Sequence, residues 1–207
     1  MPNWDEDSPQ LRENLAQVLK EIARRAELRE IPTVEHARGW QRCFLEGLSL
    51  PDARYVGAFR GEPGLENIQV KVGTNRGVTA RQVAGALRRF EATLLTLVTD
   101  LDTLLPIGHE LDADELAAIL DLCAWAHAEW IRIHPFANGN GRTARLWANS
   151  LAMRYGLPPF IRLRPRPNPG YAEAGAKAMK GDWRPTAIVF RRLLDDFPGV
   201  SDFLDEE

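Results

Sequence analysis

The chain has 207 residues, a net charge of −3, 44% hydrophobic residues and 27% charged residues. That length fits one domain or a domain with a small appendage, and the composition fits a folded globule rather than a disordered chain. No basic run marks nucleic-acid binding as the main task, no apolar run approaches a membrane span, and the acidic, polar start from Met1 to Gln10 does not read as a signal peptide.

In chain order, Ser8-Pro9 predicts a helix start, with a capping serine and a proline in the first turn. Leu11, Leu15, Val18, Leu19 and Ile22 then mark one apolar face to about Leu28. Thr33 is placed to cap a second helix bearing Val34, Ala37, Trp40, Phe44 and Leu45 and ending near Gly47. After Pro51 the pattern changes: residues 55–60 and 67–73 alternate like short strands around a Gly-Glu-Pro-Gly turn, which predicts a hairpin between them. Thr79-Ala-Arg-Gln82 reads as a capping box opening a long helix through Val83, Leu87, Phe90, Leu94 and Leu97. Asp112-Ala-Asp-Glu115 is a second box, and its helix carries Ile119, Cys123, His127 and Ile131 toward His134. A further helix runs from the glycines after His134 to about Tyr155, and a final helical region spans Tyr171 to Leu194 with a break at Gly181-Asp182 and Pro185. The architecture is therefore mainly α with one hairpin. Cys43 and Cys123 fall in helical patterns and read as free core thiols, which fits a reducing cytoplasm. Delivery into another cell stays open.

Residues 134–145, His-Pro-Phe-Ala-Asn-Gly-Asn-Gly-Arg-Thr-Ala-Arg, carry the chemistry. Gly139, Asn140 and Gly141 let the backbone turn tightly and present its N–H groups. The helix that follows adds unpaired amides and a positive dipole end, so the segment is a cradle for phosphate. Arg142 and Arg145 lie three apart on that helix and can lean over one face. His134 is the one side chain of the segment able to take a proton near neutral pH. Together these residues predict an enzyme acting on a nucleotide phosphate.

The segment resembles the Fic family signature, His-Pro-Phe-x-Asp/Glu-Gly-Asn-Gly-Arg-x-x-Arg, with Asn138 at the acidic position. The resemblance extends to the order of elements over residues about 53–194 and implies a Fic-like helical bundle with a β-hairpin flap, with a catalytic core and C-terminal helices over 51–207; residues 1–50 match the family less clearly and are read as an N-terminal helical extension packed on that core. It further implies transfer of AMP from ATP to a Ser, Thr or Tyr hydroxyl of a protein, with Mg²⁺. In that scheme His134 takes the hydroxyl proton. Asn140 and the amides of Gly139, Gly141 and Arg142 hold the phosphates, Arg142 neutralises the leaving pyrophosphate, Arg145 meets the γ-phosphate, and Tyr171 lies beside the base. Pro135 and Phe136 are structural, with the phenyl pinning the loop into the core. Asn138 bears on the metal, because its carbonyl oxygen has no charge and Mg²⁺ prefers anionic ligands. Three outcomes follow: weak Mg²⁺ with slow AMP transfer, transfer of another phosphate-linked group such as UMP, phosphate or phosphocholine, or a nucleotide-responsive binding module without turnover.

Ile68, Gln69, Val70 and Lys71 would offer the flap edge to an extended target segment. His127 reads as a structural histidine, His36 and His109 as surface residues, and no Cys/His spacing fits zinc. Many Fic proteins are held off by a glutamate that pairs with the second motif arginine. Glu13-Asn14 and Glu46-Gly47 end correctly but lack the hydroxyl residue, and the tail 201–206 is one residue out of register. A separate antitoxin-like partner supplying that glutamate is the remaining expectation.

Overall fold

The structure is a computed structural model, and it describes residues 8–167 and 170–198. The tail at 201–206 lies outside them. Helix α1 spans Pro9–Glu27, with the Ser8 hydroxyl accepting the Leu11 N–H at 3.1 Å. Helix α2 spans Val34–Leu45 and opens on a reciprocal cap: Thr33 Oγ1 accepts the His36 N–H at 3.3 Å, and His36 Nδ1 accepts the Thr33 N–H at 3.1 Å. His36 is thus a half-buried capping partner rather than a bare surface residue.

Helix α3 spans Ala80–Leu104 and follows Thr79, whose N–H reaches Gln82 Oε1 at 3.3 Å. Helix α4 spans Ala113–Ile133 and opens on the Asp112 box, with Glu115 N–H to Asp112 Oδ1 at 2.8 Å. The Glu115 carboxylate also lies 2.8 Å from His109 Nε2, a partner the sequence did not give that histidine. Helices α5 (Asn140–Arg154), α6 (Tyr171–Ala178) and α7 (Arg184–Asp195) complete the bundle, with the break between the last two at Gly181 and Asp182.

Helix α4 is the hub, packing on α3, α5, α6 and α7, while α1 lies against α2 and α5. Phe90, Trp130 and Trp147 interlock at its centre, with ring centroids 5.0 Å apart for Phe90–Trp147 and 5.5 Å for Trp130–Trp147. Leu11, Leu15, Val18 and Phe44 of the first two helices join this same apolar cluster. Almost every residue of α5 is buried, Arg142 and Arg145 included, so the helix that follows the glycines is held from all sides.

The hairpin exists, but its strands differ from the expectation. Strand β1 (Lys71–Val72) pairs antiparallel with β2 (Asn75–Arg76) around Gly73 and Thr74, and residues 55–60 are not its partner. Residues 61–65 close on themselves instead, with Gly61 N–H to Leu65 O at 3.1 Å and Leu65 N–H to Glu62 O at 2.8 Å. Phe59 forms an isolated antiparallel bridge with Phe136, their rings 4.8 Å apart. Burying two phenyl rings in the core outweighs a few exposed edge hydrogen bonds. Among the described residues no helix is long and apolar enough to cross a membrane.

Candidate functional site

The C-terminus of α4, the glycine loop and the start of α5 form one wall of a cleft of about 590 Å³, and the hairpin forms another. Its lining includes His134, Asn138, Gly139, Asn140, Gly141, Arg142 and Arg145, together with Gln69, Val70 and Lys71. Ile68 is not in the lining; its carbonyl is turned inward to Arg60. Tyr171 is not in the lining either. It stands behind Arg145, with its hydroxyl 3.2 Å from Arg145 Nη1 and 2.6 Å from His127 Nε2.

His134 caps α4 in the left-handed conformation, at φ 53°. A non-glycine residue there is strained, and it persists where its surroundings fix it. Its Nδ1 lies 3.0 Å from the Ile131 carbonyl, which can only accept, so Nδ1 carries the proton and Nε2 keeps its lone pair. Burial pulls the imidazole down to about 4, against the opposing hydrogen bond to Ile131 and with help from Arg60. The ring is therefore neutral at physiological pH, as a general base must be.

Two residues that the sequence did not single out hold it. Arg60 is buried, and its guanidinium donates to the carbonyls of Ile133, His134, Ile68 and Val78 at 2.8–3.2 Å. One cation thereby ties the histidine turn to both sides of the hairpin. Burial lowers Arg60 to about 10, so it stays charged at neutral pH. The second is Gly77, just past β2: a Cβ at this position would lie 2.8 Å from the His134 Cβ, so only glycine lets the hairpin approach so closely.

The glycine loop is built on the core. Phe136 is fully buried, and Asn140 locks it, accepting the Phe136 N–H at 2.9 Å and donating to the Phe136 carbonyl at 2.8 Å. Asn140 lines the cleft, but its side chain is spent on the loop. Gly139 sits at φ 90°, and a Cβ there would meet the Phe44 ring at 2.7 Å. The Arg142 guanidinium lies 4.7 Å over that same ring. Gln41 of α2 braces the loop from below, donating to the carbonyls of Tyr55 and Asn138 and accepting the Gly57 N–H. The sequence carries no readable mark of Gln41, because a buried glutamine on an apolar face has no distinctive spacing.

Asn138 Oδ1 accepts the Gly139 N–H and lies 3.3 Å from Arg142 Nη2. The cleft contains Lys71, Arg142, Arg145, Arg164 and Arg166, and no Asp or Glu among its described lining residues. No cluster of three or more His, Cys, Asp or Glu side chains among the described residues could hold a metal ion. This donor set does not fit Mg²⁺, which needs hard anionic oxygens rather than an amide oxygen already facing a guanidinium. Arg164 and Arg166 were readable in principle, as part of the alternation Arg162, Arg164, Arg166. Glu13 and Glu46 are exposed and lie outside the lining.

What this arrangement can do is hold a polyanion against the N-terminus of α5, with a neutral imidazole beside it. Comparison with known proteins gives a consistent result. The model of the Fic/DOC family matches residues 33–152. The chain is similar to the protein adenylyltransferase Fic of Nematostella vectensis, at 42% identity over 71 residues, or 34% of this chain and 16% of that protein. It is likewise similar to the protein adenylyltransferase Fic of Aedes aegypti, at 45% identity over 73 residues, or 35% of this chain and 14% of that protein. Thus the matches span about a sixth of the length of these curated relatives. In fold it resembles Fic-1 of C. elegans, with a TM-score of 0.62 at 21% identity over 99% of this chain and 55% of that one. It also resembles a Fic domain containing signaling protein of Bacteroides thetaiotaomicron, with a TM-score of 0.58 at 19% identity over 90% of this chain and 70% of that one.

Proposed function

Because the chain belongs to the Fic/DOC family, we propose that it transfers AMP from ATP to a Ser, Thr or Tyr hydroxyl of a target protein. The observation that carries this is the His134 ring: it lines the cleft with Nδ1 committed to Ile131 and Nε2 left as a base, beside the amides that open α5.

The step follows from those groups. The target hydroxyl gives its proton to His134 Nε2 while its oxygen attacks the α-phosphorus of ATP. A new oxygen–phosphorus bond forms as the bond to the β-phosphate oxygen breaks, and pyrophosphate leaves with the electron pair. The α5 amides and Arg142 sit where charge grows on the phosphate oxygens. The proton on His134 is then lost to solvent. Mg²⁺ has no part in this account, since the residues present do not fit it.

The hairpin would hold the target segment. Gly77 N–H bonds the Val70 carbonyl within the hairpin, so strand alternation turns the backbone groups of Gln69 and Lys71 outward. Those two residues line the cleft and offer an edge to an added strand. A separate antitoxin-like partner carrying a glutamate toward Arg145 would be the counterpart that restrains the site.

Asn138 supports a second reading, in which the same loop moves another phosphate-linked group such as UMP, phosphate or phosphocholine. One experiment separates the two: incubation with lysate protein and ATP labelled on either the α- or the γ-phosphate. AMP transfer predicts protein label from the α-position alone. Label from the γ-position, or label only from UTP or a phosphocholine donor, would replace the AMP assignment.

A further inference from the structure

We infer, resting on the AMP-transfer assignment above, that the site selects target hydroxyls whose neighbouring residue in sequence is Asp or Glu, and that Lys71 and Arg76 read that carboxylate. The two cations stand directly opposite each other across the hairpin, in the register that pairs β1 with β2. Side chains so paired share one face, with Cβ atoms about 4.5–5.5 Å apart. Both residues are exposed, and neither forms an ion pair with a described residue. Like charges placed this way destabilise a hairpin, and the strands here are only two residues each. An anion lying over the pair removes that repulsion.

Strand alternation says where the anion comes from. A Cβ on Gly77 would meet the His134 Cβ at 2.8 Å and Val70 Cγ2 at 3.1 Å, so the face shared by Gly77 and Val70 is the one toward the base. Lys71 and Arg76, one residue along each strand, belong to the opposite face. A target strand added along Gln69–Lys71 obeys the same rule. With its hydroxyl residue opposite Val70 and turned to His134, the residues immediately before and after it turn to the Lys71 and Arg76 face. Lys71, on the edge strand, also borders the cleft. Arg76 does not; with Gln69 and Arg81 it lines a second groove of about 380 Å³, which His134 does not line. The one acid of that groove's described lining, Glu66, accepts the backbone N–H groups of Gly64 and Glu66. The far side of the hairpin thus offers guanidinium groups to a carboxylate of the target.

Tandem mass spectrometry of lysate proteins incubated with ATP and the full chain tests this. Asp or Glu should stand immediately before or after the modified Ser, Thr or Tyr about threefold more often than beside unmodified hydroxyl residues of the same proteins, the scale an exposed ion pair sustains. The positions two residues away should show no such excess. Arg76→Lys should keep the preference. Arg76→Glu should lose it or turn it toward Lys and Arg, while melting no lower than the parent, because it replaces a like-charge pair by an opposite one. No acidic excess beside the modified residue, an equal excess two positions away, or an excess unchanged in Arg76→Glu overturns the inference and leaves AMP transfer standing. AMP on no protein overturns both.

Discussion

Arg60 Nε donates to the backbone carbonyl of His134 at 2.8 Å, and Arg60 is itself only 2% exposed. A buried cation with no carboxylate partner is costly unless several dipoles surround it, and here four carbonyls do. Two of them belong to the histidine turn and two to the segments flanking the hairpin, so this residue sets the distance between base and flap.

Arg60→Lys keeps a charge but cannot reach four carbonyls with one ammonium. The variant should lose about 1–3 kcal/mol of stability, the cost of buried acceptors left unmet. It should also lose transfer rate while keeping ATP affinity, because the arginine touches no residue of the phosphate cradle. Chemical denaturation and calorimetry, run beside a rate assay, check both parts.

Gly77→Ala isolates the contact behind His134. The added methyl would stand 2.8 Å from the His134 Cβ and 3.1 Å from Val70, so either the hairpin or the histidine must move. Transfer should fall at least about tenfold, because misplacing a catalytic group by about 1 Å is worth that or more. The nearby Gly73→Ala, whose Cβ would meet nothing within 4 Å but whose φ is +58°, serves as the comparison for simple hairpin strain. Equal losses in the two variants would count against a specific role for Gly77.

Acid should destabilise the fold through two histidines. Burial holds His127 down to about 3 and His134 down to about 4, against about 6.5 in the unfolded chain. Between the folded and unfolded values the unfolded chain binds more protons, so stability falls as pH drops below about 6.5 and stops falling, for these groups, near 4 and 3. Within that window each contributes a slope of about 1.4 kcal/mol per pH unit. Urea denaturation at a series of pH values measures the slope, and replacement of His134 by Asn should remove its share.

Arg142→Ala should weaken ATP binding by about 1.5–3 kcal/mol, the usual range for hydrogen bonds to charged groups. Arg145→Ala should also lower thermal stability, since that side chain holds Leu163 and Tyr171 from a buried position. Calorimetry with ATP and ADP, paired with melting curves, distinguishes the cradle residue from the one that also fastens the fold.

Much of this was legible in the sequence where a local rule operates. Ser8, Thr33, Thr79 and Asp112 mark helix starts by capping chemistry, and α1 to α7 fall close to the predicted limits. The loop from His134 to Arg145 was legible because its residue types serve one task at fixed spacing. The hairpin register was not. Alternation at 55–60 looks the same whether Phe59 pairs with a neighbouring strand or with Phe136, seventy-odd residues away. Arg60 and Gln41 were invisible for a related reason, since their partners are backbone carbonyls brought close only by the fold. Arg164 and Arg166 stood in plain alternation, but nothing local says that Asn149 and Arg145 would turn that segment toward the cradle.

The central claim is that His134 takes the proton from a protein hydroxyl as AMP is transferred. Tandem mass spectrometry of lysate proteins incubated with ATP and either the parent chain or His134→Ala tests it most directly. The account predicts AMP on Ser, Thr or Tyr side chains with the parent, a rate about 10²–10⁴-fold lower with the variant, and near-equal ATP affinity for the two. AMP transfer at the parent's rate by the alanine variant would contradict it.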